Sequence, residues 1–199
     1  MKVLLVGAAG TIGRAIADEL GTRHEIVAAG RSSGDVRLDI TDEDSIRSAY
    51  QQVGGIDAVV SAAGHVKFAP FAEMTAADYD IGLKDKLMGQ VNLVLIGRDH
   101  IADGGSFTLT TGVLESDPIV AGSSASMVNG AVNAFAMAAA IEMPRGLRIN
   151  VVSPGVIEEA MPAYAPFFRG FEPVPAARAA LAYAKSVEGA QTGQVYRVL

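Results

Sequence analysis

The sequence predicts a doubly wound α/β fold, a seven-stranded parallel sheet with helices on both faces, in a single domain spanning 1–199. Three observations predict it. Short apolar runs alternate with helical stretches along the whole chain, which implies right-handed crossovers and a parallel sheet. The first run, Val3-Leu4-Leu5-Val6, lacks two-residue alternation, as in a strand covered on both faces. A glycine turn follows it directly and leads into a helical pattern.

The strands are expected at 3–6, 26–29, 36–38, 56–60, 106–110, 149–152 and 195–198. Between them the helical candidates are 11–20, 42–53, 76–101, 123–143 and 175–187. Thr41 or Asp42 caps the second helix, and the acids in its first turn suit the helix dipole. No Pro/Ser-rich linker, charge block or repeat divides the chain. One stretch, about 158–175, holds Pro162, Pro166, Pro173 and Pro175 among aromatics and reads as a loop or short-helix lid.

Composition removes several classes of function. Half the residues are hydrophobic, yet charges or glycines interrupt every apolar stretch, so no membrane span is expected. The first residues run straight into a strand and a glycine loop, unlike a secretory signal, and a cytoplasmic location is the expectation. There are no cysteines and three scattered histidines, so no metal centre is expected. With 22 acidic against 16 basic residues the net charge is −6, which argues against nucleic acid or an anionic membrane as partner.

The glycine turn reads Gly7-Ala8-Ala9-Gly10-Thr11-Ile12-Gly13. Glycines let backbone approach a pyrophosphate, a helix N-terminus supplies N–H donors, and Gly13 permits close packing on the sheet. The bland alternative is a tight connection with no ligand. The second strand ends Ala29-Gly30-Arg31-Ser32-Ser33, where an NAD-preferring domain carries a carboxylate for the ribose 2′-hydroxyl. A guanidinium there pairs instead with a 2′-phosphate, and Ser32 stands beside it, so NADP(H) is the expected cofactor. The alternative for Arg31 is a solvated loop arginine.

In these residues the chain resembles the short-chain dehydrogenase/reductase family, a Rossmann-type family, along nearly its whole length. Leu38-Asp39-Ile40-Thr41 resembles the acidic turn after the third strand, whose side chain holds the adenine amine. Ser61-Ala62-Ala63-Gly64 resembles the Asn-Ala-Gly motif after the fourth strand, with serine for asparagine. Pro154-Gly155-Val156-Ile157 resembles the Pro-Gly turn facing the nicotinamide. The glycine spacing is Gly-x-x-Gly-x-x-Gly rather than the common Gly-x-x-x-Gly-x-Gly, as in extended members. The resemblance implies a small-molecule substrate and a homodimer or homotetramer.

At the chemistry the chain departs from the family. Members usually carry a tyrosine and, four residues on, a lysine; the matching positions here are Ala125 and Asn129. No tyrosine lies between Tyr79 and Tyr164, and no lysine between Lys86 and Lys185. The family's catalytic serine corresponds to Thr111, in Leu109-Thr110-Thr111-Gly112. In Lys86-Leu87-Met88-Gly89 a lysine falls where the family has its active-site asparagine, so the two residue types look exchanged. The resulting expectation is that Lys86 reaches the ribose and carbonyl region from a neighbouring helix, with a pKa lowered by desolvation, while Asn129 takes the amide's place. The alternative is that Lys84 and Lys86 solvate one helix face. His65 reads as a surface histidine or a proton donor, Tyr164 as a lid residue, and Ser123, Ser124 and Ser126 as helix caps.

Three functions compete at this point. The first is an NADP(H)-dependent oxidoreductase acting on a small carbonyl or its alcohol, with Thr111, Lys86 and Asn129 at the chemistry. The second is a non-catalytic NADP(H)-binding or redox-sensing protein. The third is a lyase or isomerase on the same scaffold.

Overall fold

Fourteen principal elements alternate along the computed structural model, which describes residues 1–199. They are β1 (Lys2–Val6), α1 (Thr11–Gly21), β2 (Glu25–Gly30), β3 (Val36–Arg37), α2 (Glu43–Val53), β4 (Ile56–Ser61), α3 (Ala76–Gly82), α4 (Met88–Gly97), β5 (Ile101–Thr110), α5 (Ser123–Glu142), β6 (Arg148–Pro154), α6 (Met161–Tyr164), α7 (Ala176–Glu188) and β7 (Val195–Val198). The strands form one sheet in the order β3-β2-β1-β4-β5-β6-β7, and every pairing is parallel. The chain starts in the middle, runs out to β3 and returns beside β1 as β4. That reversal opens a crevice at the carboxyl ends of β1 and β4, where doubly wound sheets hold ligands.

Alternation along each strand splits the core into two layers. Leu4 and Val6 of β1, with Val59, Phe107, Leu109 and Val151, meet Ile46 and Tyr50 of α2, Leu93 of α4 and Val132 of α5. Val3 and Leu5, with Ala58, Val60 and Val152, meet Ile16 and Leu20 of α1 and Ala180, Tyr183 and Ala184 of α7. Asp42 caps α2, its carboxylate accepting from the N–H groups of Asp44 and Ser45.

Four expectations need correction, one of them the capping of α5 by Ser123, Ser124 and Ser126: all three lie inside the helix, Gly122 precedes it, and no side chain caps it. The helix expected over 76–101 is broken: α3 passes into a π-helical turn at Leu83–Leu87 before α4 resumes, and the chain leaves the helix after Gly97. Gly82 and Gly89 flank the widened turn, and a Cβ on either would meet Val128 and Val66 at 3.1 Å or Ile40 at 2.8 Å. Ile101 is the first residue of β5, which starts before the predicted 106 and pairs with Ile56 ahead of a register shift. Finally, α5 is long and apolar enough, by length and composition, to cross a membrane, with a mean hydropathy of 1.3. The expectation that no stretch is so apolar fails because Gly130 and the polar residues of α5 are too few to lower its hydropathy. One face of it, carrying Ala125, Val128, Asn129, Val132, Asn133 and Ala136, is buried within the fold.

Candidate active site

The glycine turn is shaped by contacts that exclude side chains. Gly7 has φ +87°, and a Cβ there would lie 2.7 Å from the Ala62 carbonyl oxygen; one on Gly13 would lie 2.1 Å from the Gly7 carbonyl oxygen. The Gly10 N–H donates to the Gly7 carbonyl at 3.0 Å, folding the turn onto itself. No side chain caps α1, so its first N–H groups stay open to an anion.

Three adjoining cavities run from this turn across the carboxyl edge of the sheet. The first, about 190 Å³, is lined by Gly7, Arg31, Asp39, Ile40, Ala63, Gly64, His65 and Asp85 among others. Asp39 accepts from the Thr41 N–H at 2.9 Å and its hydroxyl at 2.7 Å. Burial raises the Asp39 pKa, but the Thr41 hydrogen bonds and the nearby Arg31 charge outweigh it and hold the carboxyl below its usual value. Arg31 itself is exposed and makes no ion pair within the chain. Ser32 lies on the exposed turn just beyond the lining.

The second cavity, about 310 Å³, brings together Lys86, Thr111 and Asn129 from three separate elements, with Ala125, Pro154, Gly155 and Val156. Lys86 stands in the π-helical turn, a local widening often found at functional sites. Its ammonium forms no hydrogen bond within the chain, and burial pushes its pKa down to about 8 although neighbouring Asp85 acts to raise it. Asn129 donates through Nδ2 to the Gly112 carbonyl at 3.3 Å, while its Oδ1 is buried with no partner. Thr111 donates its hydroxyl to Asn133 Oδ1 at 3.0 Å. Gln90, one helical turn beyond Lys86, clamps the strand beneath: it accepts from the Thr110 N–H at 2.8 Å and donates to the Thr110 carbonyl at 3.0 Å.

The third cavity, about 390 Å³, lies between Gly10, Thr11, Ile12 and Ala62 on one side and Val156, Ile157, Ala160, Tyr164 and Phe168 on the other. The 158–175 stretch folds as a short 3₁₀ turn and α6, and returns through a parallel bridge between Ile157 and Val174. Tyr164 and Phe168 of this stretch, with Phe68, line both the second and third cavities.

Three sequence-predicted residues stand apart from the linings, Ser32 on its exposed turn and two buried ones. Gly13 is buried in packing beneath the turn, and Ser61 is fully buried in β4 with its hydroxyl unpaired. Several wall residues carry no sequence signal: Phe68 and Phe168 sit on irregular segments, and Asn133 meets Thr111 only through packing of α5. The two buried tyrosines are no substitute for a catalytic one. Tyr50 donates to the Leu93 carbonyl at 2.7 Å, Tyr183 is 2.6 Å from the Thr110 hydroxyl, and burial raises the pKa of both.

A family model described as enoyl-(acyl carrier protein) reductase matches residues 7–198. The chain belongs to the short-chain dehydrogenase/reductase family. Among curated members of this oxidoreductase family, an uncharacterized oxidoreductase of Methylorubrum extorquens is 30% identical over 137 residues, covering 66% of this chain and 55% of that protein. The chain thus spans about half the length of that relative. Versicolorin reductase stcU of Emericella nidulans is 29% identical over 188 residues, covering 80% of this chain and 70% of the other. Among solved structures, the protein lin1944 from Listeria innocua is 56% identical with a TM-score of 0.99, and each chain is covered fully. A small-chain dehydrogenase solved in complex with NADPH shares the fold, with 23% identity, a TM-score of 0.88, and 100% and 96% of the two chains covered.

Proposed function

We propose that this short-chain dehydrogenase/reductase is an NADP(H)-dependent oxidoreductase that reduces a small carbonyl compound or oxidises its alcohol. The observation that carries the reading is the convergence of Lys86, Thr111 and Asn129 on one cavity adjoining the glycine turn. The residues fit a dinucleotide: Gly7 and Gly13 keep the turn tight where a Cβ would strike the Ala62 and Gly7 carbonyls, the N-terminus of α1 has no side-chain cap, and Asn129, on the wall of an adjoining cavity, has an unpaired Oδ1. Open N–H groups at Thr11, Ile12 and Gly13 suit the pyrophosphate, Arg31 and Ser32 a 2′-phosphate, and Asp39 and Ile40 the adenine. Ser61, Ala62, Ala63 and Gly64, with Pro154, Gly155, Val156 and Ile157, form the two turns between which the nicotinamide half would lie. When bound, the cofactor supplies or accepts a hydride.

The chain's own part is to orient a carbonyl and to move a proton. Lys86, with its pKa near 8, is charged at neutral pH and close enough to its pKa to give a proton to a developing alkoxide. Thr111 turns its hydroxyl toward the same oxygen on releasing Asn133, and the apolar wall of Val113, Leu114 and Phe168 keeps water away. The outer faces of α4 and α5, where Leu95, Met137 and Ile141 are exposed, suit a homodimer or homotetramer.

A second reading is a non-catalytic NADP(H)-binding protein. Ala125 favours it, because the cavity wall lacks a phenol there, and so does the commitment of the Thr111 proton to Asn133. NADPH oxidation against a panel of aldehydes and ketones, run beside a binding titration, separates the two. Turnover that drops by about 10²-fold or more in Lys86→Ala supports the oxidoreductase. Tight binding with no turnover on any panel member favours the binder, and Lys86→Ala that binds and turns over like the parent removes Lys86 from the chemistry.

A further inference from the structure

We propose that Lys86 is also a covalent carbonyl trap: without the dinucleotide, its amine condenses with an aromatic aldehyde held in the cavity to form an imine. This goes beyond the oxidoreductase reading, in which Lys86 acts without bonding to carbon, and it does not depend on that reading.

The argument starts from the surroundings of the amine. Lys84, two residues away, pairs with Asp80 at 2.9 Å, whereas Lys86 has no hydrogen-bond acceptor in the chain and no carboxylate oxygen within 4 Å. Its stem is held in place, since it lies over the Gly64 backbone within the π-helical turn. The amine is therefore presented to the cavity and is not wrapped in an ion pair. Phe68, Tyr164 and Phe168 give that cavity an aromatic wall, and its volume of about 310 Å³ accepts a single-ring compound.

The ionisable groups around the amine are few. Asp85 neighbours it along the chain and accepts the His65 N–H at 2.9 Å. His65 and Tyr164 share the cavity wall, while Asp39 and Arg31 lie in the adjoining cavity. Desolvation holds the amine at a pKa of about 8, so roughly a quarter is neutral at pH 7.5, against about one part in a thousand for an ordinary surface lysine.

The chemistry balances without an outside oxidant or reductant. The neutral Nζ attacks the carbonyl carbon, a C–N bond forms, and the oxygen takes the proton that the nitrogen sheds. Asn129 lines the same cavity and offers a polar side chain to the new carbinolamine hydroxyl. That hydroxyl then leaves as water with a proton from His65, the nitrogen lone pair closes the C=N bond, and solvent reprotonates His65.

Reductive trapping tests this directly. The full-length protein without nucleotide is incubated with benzaldehyde and sodium cyanoborohydride across pH 6–10, and N-benzyl lysines are mapped by mass spectrometry. Lys86 should be labelled at least about tenfold faster than Lys84 or Lys67, with a rate that climbs toward pH 8 and falls above it as the acid that expels water and the protonated imine are lost. Lys86→Arg, shown to be folded by circular dichroism, should lose only that adduct. Labelling of Lys86 no faster than Lys84 or Lys67 overturns the trap. Saturating NADPH provides a separate arm: full labelling of Lys86 in its presence contradicts the cofactor's place beside Lys86 and leaves the trap standing.

Discussion

The stem of Lys86 lies across the backbone of Gly64 so closely that a Cβ on residue 64 would fall 2.7 Å from Lys86 Cγ and 3.1 Å from its Cα. Gly64 has φ +136°, so both its conformation and its missing side chain serve this contact. The turn after β4 and the π-helical turn are thereby locked together, and Lys86 is aimed by a residue that has no chemistry of its own.

Gly64→Ala should therefore act through Lys86. The near-backbone atoms it meets have little freedom to yield, so a loss of about 1–3 kcal/mol in stability is expected from strain and displacement. Denaturant unfolding measures that loss. The lysine pKa, read from the pH dependence of NADPH oxidation, should rise toward the usual lysine value as the amine moves into solvent, a change that a purely structural role for Gly64 does not produce.

Arg31→Ala should weaken NADPH selectively. A charge-assisted contact to a 2′-phosphate is worth about 1.5–3 kcal/mol, or roughly 10- to 150-fold in affinity. NADH, which lacks the phosphate, should bind the variant and the parent equally in a fluorescence titration. Equal losses for both nucleotides would remove Arg31 from phosphate recognition.

Much of this was legible in the residues because backbone sterics leave marks in the sequence. Gly7 and Gly13 occur where the turn leaves no room for side chains, and the apolar run of β1 is continuous because helices cover both faces of the sheet. The π-helical turn was not legible, since one extra residue in a turn barely disturbs the apolar period over 76–97. The start of β5 was hidden by Asp103, Gly104 and Gly105, poor strand formers that obscure its pairing with β4. At the site, Lys86 was readable only by asking where a missing cation had gone. Phe68, Phe168 and Asn133 carry no such mark, because tertiary packing alone brings them to the cavity.

Gly13→Ala should damage both fold and cofactor site. Its Cβ would sit 2.1 Å from the Gly7 carbonyl oxygen and 2.8 Å from Ala8 Cα, both backbone atoms. A loss of about 2–4 kcal/mol is expected, with α1 pushed from the turn. Thermal unfolding reads the first effect and NADPH titration the second.

Lys86→Met should stabilise the protein at pH 7. The folded pKa is about 8 and the usual lysine value 10.5, so between them the unfolded chain holds a proton that the folded chain has released, and parent stability rises with pH. The variant lacks this charge and gains on the order of 1–2 kcal/mol below pH 8, after allowance for solvent screening. The gain shrinks through the window from pH 8 to 10.5 and vanishes above it. Denaturant midpoints at pH 7, 9 and 10.5 check the sign.

Calorimetric titration of the parent protein with NADPH and with NADH, side by side, tests the central claim most directly. An anion seat at the opening of α1 with Arg31 beside it predicts saturable binding of NADPH at one site per chain, at least about tenfold tighter than NADH. No detectable heat with either nucleotide, or tighter binding of NADH, would contradict it.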